Sequence, residues 1–170
     1  LEEAVQLAFS QLEKDQTSYL GSYASYDFLQ TSSSAQRLME KKVFSKLSQE
    51  PNSNKWNELA MQLAMTVKDY DQALQLAKAY EKRTGGQGHQ VYQIAEIAAA
   101  EQQHDLAIEG YDYLIKNSST DLGKLAQERK ILTLYAKIKK QRLRDSVHIG
   151  LLNSVFMNYL AQHGFTSNTA

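Results

Sequence analysis

A small or apolar residue returns at nearly fixed spacing along this chain, at Ala4, Met39, Ala73 and Ala107, with steps of 35, 34 and 34 in sequence number. Such a period inside a helical pattern is the mark of helix-turn-helix units stacked side by side. The spacing predicts an all-α chain, an α-α superhelix or solenoid of stacked antiparallel hairpins with about nine helices. Each hairpin in such an array leaves an apolar flank that only its neighbour covers, so the stack behaves as a one-dimensional series.

Composition agrees with helices. One proline and eight glycines occur in 170 residues, and Val, Ile and Thr never alternate for long enough to make strands. Lys and Arg total 19 against 19 Asp and Glu, so the chain as a whole carries no field that draws it to nucleic acid or an anionic membrane. No apolar run approaches the roughly 20 residues that span a bilayer, and no membrane insertion is expected. Cysteine is absent, which excludes disulfides, thiolate metal sites and cysteine nucleophiles but suits either redox compartment. Cytoplasmic and exported locations both stay open; a secretory signal would have to precede Leu1.

Along the chain, residues 1–15 read as the second helix of a truncated repeat, with Ala4, Val5, Leu7, Ala8, Phe9 and Leu12 at helical spacing. Residues 17–50, 54–84 and 88–118 read as three repeats. The first would hold a helix over 18–30, ended by Thr31-Ser32-Ser33-Ser34, and another over 35–49, stopped by Glu50-Pro51-Asn52. Residues 120–163 form a longer, divergent pair: a helix near 121–140 with Leu122, Leu125, Leu132, Tyr135 and Ile138 inward, and one near 145–163 carrying Val147, Leu151, Leu152, Val155, Phe156, Tyr159 and Leu160. Residues 164–170 read as a frayed tail, and all of 1–170 as a single helical-repeat domain. Two antiparallel helices approach closely only where a side chain is little more than a methyl group. Ala60 is therefore expected opposite Ala73, and Ala95 opposite Ala107.

With those positions placed, the chain resembles the tetratricopeptide repeat family. Trp56, Leu59, Ala60 and Leu63, followed by Ala73, Ala77 and Tyr80, match one repeat. Val91, Ile94, Ala95 and Ala98, followed by Ala107, Tyr111 and Leu114, match a second. Leu20, Tyr23, Ala24 and Asp27, with Met39, Val43 and Pro51, give a looser third. The departures are a step of 35 rather than 34 between the first-helix stripes at Trp56 and Val91, a Ser-rich turn that lengthens the earliest hairpin, and helices too long for the pattern beyond Asn117. The start in mid-hairpin and the lack of a polar end-cap lead us to expect a piece of a longer array, with a texture similar to that of large bacterial multi-repeat proteins.

The resemblance implies a non-enzymatic module that binds a protein or peptide in a groove lined by the first helix of each hairpin. Carried over, the groove residues are Asn54, Asn57, Met61 and Met65 in one repeat and His89, Tyr92 and Glu96 in the next. The two methionines suit a plastic apolar contact, or else pack against the neighbouring hairpin. Tyr92 and Glu96 stand where relatives that clamp a C-terminal carboxylate want Lys and Asn, so that ligand is not expected. Tyr19, Tyr23 and Tyr26 share one helix face and form a second candidate anchor, or a half-buried stripe.

A different function class is readable from the basic strip at 129–144, where Lys137, Lys139, Lys140, Arg142 and Arg144 could meet a polyanion and Tyr135 could stack on a base. The alternative for the strip is a cationic helix end complementing its own dipole. A purely structural spacer within a longer array is a third possibility. His89, His104, His148 and His163 show no HExxH spacing, so no metal is expected. The glycines after Thr84 follow a helix and read as a helix stop. Asn117-Ser118-Ser119 is a three-residue glycosylation pattern too common to weigh. No catalytic constellation and no cofactor motif is present.

Overall fold

Caps set the helix boundaries. The computed structural model describes residues 1–14, 31–141 and 146–163, with the side chains of the last helix described over 150–162. Among the described residues there are eight helices and no strand: α1 (Glu2–Lys14), α2 (Ser33–Gln49), α3 (Asn54–Thr66), α4 (Tyr70–Thr84), α5 (His89–Ala100), α6 (His104–Asn117), α7 (Thr120–Lys140) and α8 (Ser146–His163). The ninth, expected over 18–30, lies outside the described residues, as does the tail at 164–170. The side chain of Ser32 accepts a hydrogen bond from the Ala35 amide at 3.3 Å, so part of the serine cluster begins α2. Ser53 does the same for Trp56, at 3.4 Å, and Asp69 for Gln72, at 3.1 Å. Gly85 takes a left-handed φ of 69° at the end of α4, the helix stop expected there.

Two compact units divide the chain, 1–95 and 96–170, with the boundary inside α5. In the first, one face of α1 (Val5, Phe9, Leu12) and one face of α2 (Ala35, Met39, Val43) close on Trp56, Leu59, Ala60 and Leu63 of α3. Each large side chain buried here stabilises the fold by about 1.5–3 kcal/mol. The Phe9 and Trp56 rings stack with centroids 5.7 Å apart. Lys42 donates to Gln6 and Lys46 pairs with Glu13 at 2.9 Å; numbers rise together in both helices, so α1 and α2 run in the same direction. Between α3 and α4 the order reverses, with Tyr80 bonded to Glu58 and Arg83 to Asn54. Ala60 and Ala73, the expected contact alanines of this antiparallel pair, are both fully buried.

Burial corrects the starting register. Ala4 is exposed, and its place inside is taken by Val5. The first step of 35 then becomes 34: Val5, Met39, Ala73 and Ala107 are all fully buried, and four positions on Phe9, Val43, Ala77 and Tyr111 are buried too. The turns repeat as well. Lys68 and Gln102, one such step apart, have φ of 63° and 62°. Around Lys68 the amides of Val67, Lys68 and Asp69 donate to Leu63, Met65 and Ala64 carbonyls; around Gln102 those of Glu101, Gln102 and Gln103 donate to Ile97, Ala99 and Ala98. Each is a Schellman closure with a non-glycine residue in the left-handed position. The first-helix step is thus 34 at the closing turns, while the helix starts, Asn54 and His89, keep the step of 35 read from side-chain type.

One difference separates the two turns. Asp69 caps α4 through its carboxylate, whereas Gln103 at the start of α6 makes no side-chain cap. Gln103→Asp is expected to stabilise the protein by about 1 kcal/mol, read as a higher urea midpoint with an unchanged slope; Asp69→Ala is expected to lose a similar amount.

In the second unit α6 and α7 are antiparallel, Lys130 pairing with Asp112 at 2.6 Å and Lys137 with Asp105. The inward face of α7 carries Ala126 and Thr133, both buried, with Lys130 and Lys137 half-buried beside them. This corrects the expected stripe: Leu122 and Ile138 are half-buried, but Leu125, Leu132 and Tyr135 are exposed. From this side Lys130 and Lys137 reach the two α6 carboxylates. On α8, Tyr159 is buried and Leu152 and Leu160 are half-buried, while Leu151, Val155 and Phe156, expected inward, are exposed.

Candidate interaction surface

The first helix of the central hairpin, α3, turns its apolar residues inward and leaves Asn54, Glu58, Gln62 and Met65 at the i, i+4, i+8 and i+11 positions of its other side. These side chains are braced by the antiparallel partner. From α4, Arg83 donates through Nη2 to Asn54 Oδ1 at 2.8 Å and through Nη1 to the Pro51 carbonyl at 2.7 Å. Its guanidinium also lies 5.4 Å from the centre of the Tyr80 ring, within cation–π range. The Tyr80 hydroxyl donates to Glu58 Oε1 at 3.1 Å. Partial burial first, and then the bond to Glu58, push the Tyr80 phenol above its usual range.

Asn57 and Met61 do not share this surface. Asn57 is 4 % exposed, and its amide donates to the Ser53 carbonyl at 2.8 Å and the Pro51 carbonyl at 3.2 Å. It ties the turn before α3 to the helix. Met61 is 6 % exposed and belongs to the core. Met65 is half-buried at the edge. On α5, His89 is exposed and Tyr92 half-buried, both in the first unit. Glu96 belongs to the second unit, where its Oε1 accepts from the Tyr111 hydroxyl at 2.6 Å and its Oε2 lies 3.6 Å from Arg129 Nε. Tyr19, Tyr23 and Tyr26 lie outside the described residues.

Part of the basic strip is matched within its own unit. Arg129, Lys130 and Lys137 are paired with Glu96, Asp112 and Asp105. Lys139 and Lys140 are exposed, and Arg142 and Arg144 lie outside the described residues. A lysine already held by a carboxylate gains less from a phosphate and releases fewer counterions on binding one.

An open cleft of about 760 Å³ runs along α1 and α2, lined by Glu2, Glu3, Gln6, Leu7, Leu38, Lys41 and Lys42 among others. Acids on α1 and lysines on α2 give its two walls opposite charge. Among the described residues no group of three His, Cys, Asp or Glu could hold a metal ion, and no helix is long and apolar enough to cross a membrane. Glu40, partly buried and facing the negative charge of Asp69, is held above the usual carboxylate range.

The braced surface was hidden from a residue-by-residue reading because its partners are far apart in sequence. A signal was nevertheless there: in a hairpin that turns at Lys68, positions at similar distances from the turn meet, which brings 54 near 83 and 58 near 80. No protein-family model, no curated protein and no solved structure matches the chain.

Proposed function

We propose that the chain is a non-enzymatic interaction module of the tetratricopeptide kind, a series of antiparallel helix pairs that offers first-helix faces to a protein or peptide. The observation that carries this reading is the pair of turns at Lys68 and Gln102, which repeat φ and three backbone hydrogen bonds one period apart. Parallel α1 and α2, with antiparallel α3 and α4, are the relations expected of alternate and successive helices in a hairpin series. Bracing of Asn54 and Glu58 before any ligand arrives lowers the ordering entropy that binding has to meet. Met65 beside them supplies an adaptable apolar contact, and His89 and Tyr92 continue the first-helix set on α5. The pairing of Lys137 with Asp105 of α6 occupies one of the five cations that polyanion binding would use.

Peptides selected from a random library on the intact chain test it. Amide exchange of the complex is expected to slow over 54–66 and 89–95, and Met65→Asp to weaken binding about tenfold. Slowing confined to 70–84, on the second-helix side, would overturn the groove assignment.

A further inference from the structure

We infer that Arg83, on the second helix of the central hairpin, is a positioning residue that decides which polar group the α3 surface shows to a ligand, giving that surface a hydrogen-bond donor at Asn54. The inference rests on the first-helix reading above and adds to it the polarity of the contact. An asparagine amide has two sides of opposite kind, an oxygen that accepts and an amino group that donates, and nothing in its own shape chooses between them. A guanidinium offers only donors. Because Arg83 Nη2 donates to Asn54 Oδ1 at 2.8 Å, the oxygen is committed to α4 and Nδ2 is the side turned away from it. Asn54 is exposed, so a ligand can reach that group.

An exposed arginine ordinarily loses entropy when it is held in one geometry. Here several restraints share that cost. Nη1 donates to the Pro51 carbonyl at 2.7 Å, the same carbonyl that accepts from Asn57 at 3.2 Å, while the guanidinium lies 5.4 Å from the centre of the Tyr80 ring. A planar fork spans the Pro51 carbonyl and Asn54 Oδ1 together, which the single ammonium of a lysine does not reproduce. The same chain of contacts orders Glu58 with the opposite polarity. Its carboxylate only accepts, Oε1 takes the Tyr80 hydroxyl at 3.1 Å, and Oε2 stays an acceptor. One turn apart on α3, the surface therefore sets a donor at Asn54 before an acceptor at Glu58. That order suits a peptide backbone, in which every residue but proline carries one acceptor and one donor, and it opposes a free carboxylate, which the Glu58 charge repels.

Substitutions in the full 170-residue chain, read with the library-selected peptides and by NMR of the free protein, test the proposal. Asn54→Asp is the decisive variant: its carboxylate keeps the contact with Arg83 and suits the first turn of a helix, but it puts an oxygen where the amino group was. It is expected to leave the urea midpoint unchanged or higher and to weaken peptide binding at least about tenfold. Asn54→Ala and Arg83→Lys are each expected to weaken binding about fivefold, and the two together no more than either alone. In the free wild-type chain the Asn54 side-chain amide should show an order parameter close to that of the backbone beside it, and a much lower one in Arg83→Lys. Full-affinity binding by Asn54→Asp of a peptide that protects 54–66 overturns the proposal. So do losses from the alanine and lysine variants that simply multiply, or an Asn54 amide that is already mobile in the wild type. Slowed exchange confined to 70–84 beside a rigid Asn54 amide would refute the groove reading and leave the role of Arg83 in place, whereas a mobile amide beside protected 54–66 would do the reverse.

Discussion

Trp56→Ala is expected to destabilise the first unit by about 3–5 kcal/mol, the largest effect of any single truncation named for this chain. The indole is 4 % exposed and lies where three helices converge. It stacks on Phe9 of α1 and shares a core with Met39 and Val43 of α2, while the Lys55 ammonium lies 5.1 Å from its ring. That ammonium also donates to the Leu12 carbonyl at the end of α1. Truncation opens a cavity that rigid helices cannot collapse to fill, and it removes the aromatic contact as well. Trp56→Phe keeps the stack and is expected to cost about half as much. Loss of helical circular dichroism in urea measures both. A cost below about 1 kcal/mol for the alanine would mean that the three helices do not share this core. As the only tryptophan, Trp56 also makes wild-type fluorescence a report on the first unit alone.

The second large effect is expected at Glu81. It sits in the last turn of α4, 6 % exposed, and its Oε1 accepts from the Gln90 amide at 2.9 Å and the Val91 amide at 3.4 Å. Those are orphan donors at the start of α5. The residue in the capping position there is Gly88, whose carbonyl accepts the first helical bond from Tyr92 but which has no side chain to cap with. Glu81 supplies the cap from the preceding helix, and Gly86 lets the loop pass close over its stem, a Cβ there falling 3.1 Å from the Glu81 Cγ. Glu81→Ala is expected to cost about 2–4 kcal/mol, because it strands two backbone donors that the fold shields from water. Glu81→Gln keeps an acceptor oxygen and is expected to cost about 1 kcal/mol. Amide exchange at Gln90 and Val91 should accelerate in the alanine variant before any other part of α5. Equal costs for the two variants would show that the carboxylate stem, and not its oxygens, matters.

How much of this was readable beforehand depended on whether the information was local. Helix ends were, since Ser53, Asp69, Gly85 and the Glu50-Pro51 stop act on their own neighbours. The all-helical class followed from the same signals. Register was not fully local. Ala4 fits the repeat as a small residue, yet Val5 is inside; the step of 35 between Trp56 and Val91 holds at the helix starts, Asn54 and His89, and shortens to 34 at the closing turns. The inward side of α7 was least legible, because Ala126 and Thr133 mark it with two lysines beside them, and sequence spacing alone does not place Asp112 and Asp105 opposite. α8 has no polar side for a stripe to be read against. At the candidate surface Asn54, Met65 and His89 were legible as outward positions. Asn57 was not, since its amide bonds to carbonyls of the preceding turn, a role that side-chain type alone does not announce.

The twin closures at Lys68 and Gln102 bracket a block, Asp69 to Gln102, that is one full period long. The block starts just after one such bend and finishes on the next. Splicing a duplicate of it into the chain would recreate a junction the polypeptide already makes, with a left-handed residue handing over to a capping aspartate. A gene carrying this segment could lengthen or shorten its product by whole blocks without inventing a new connection.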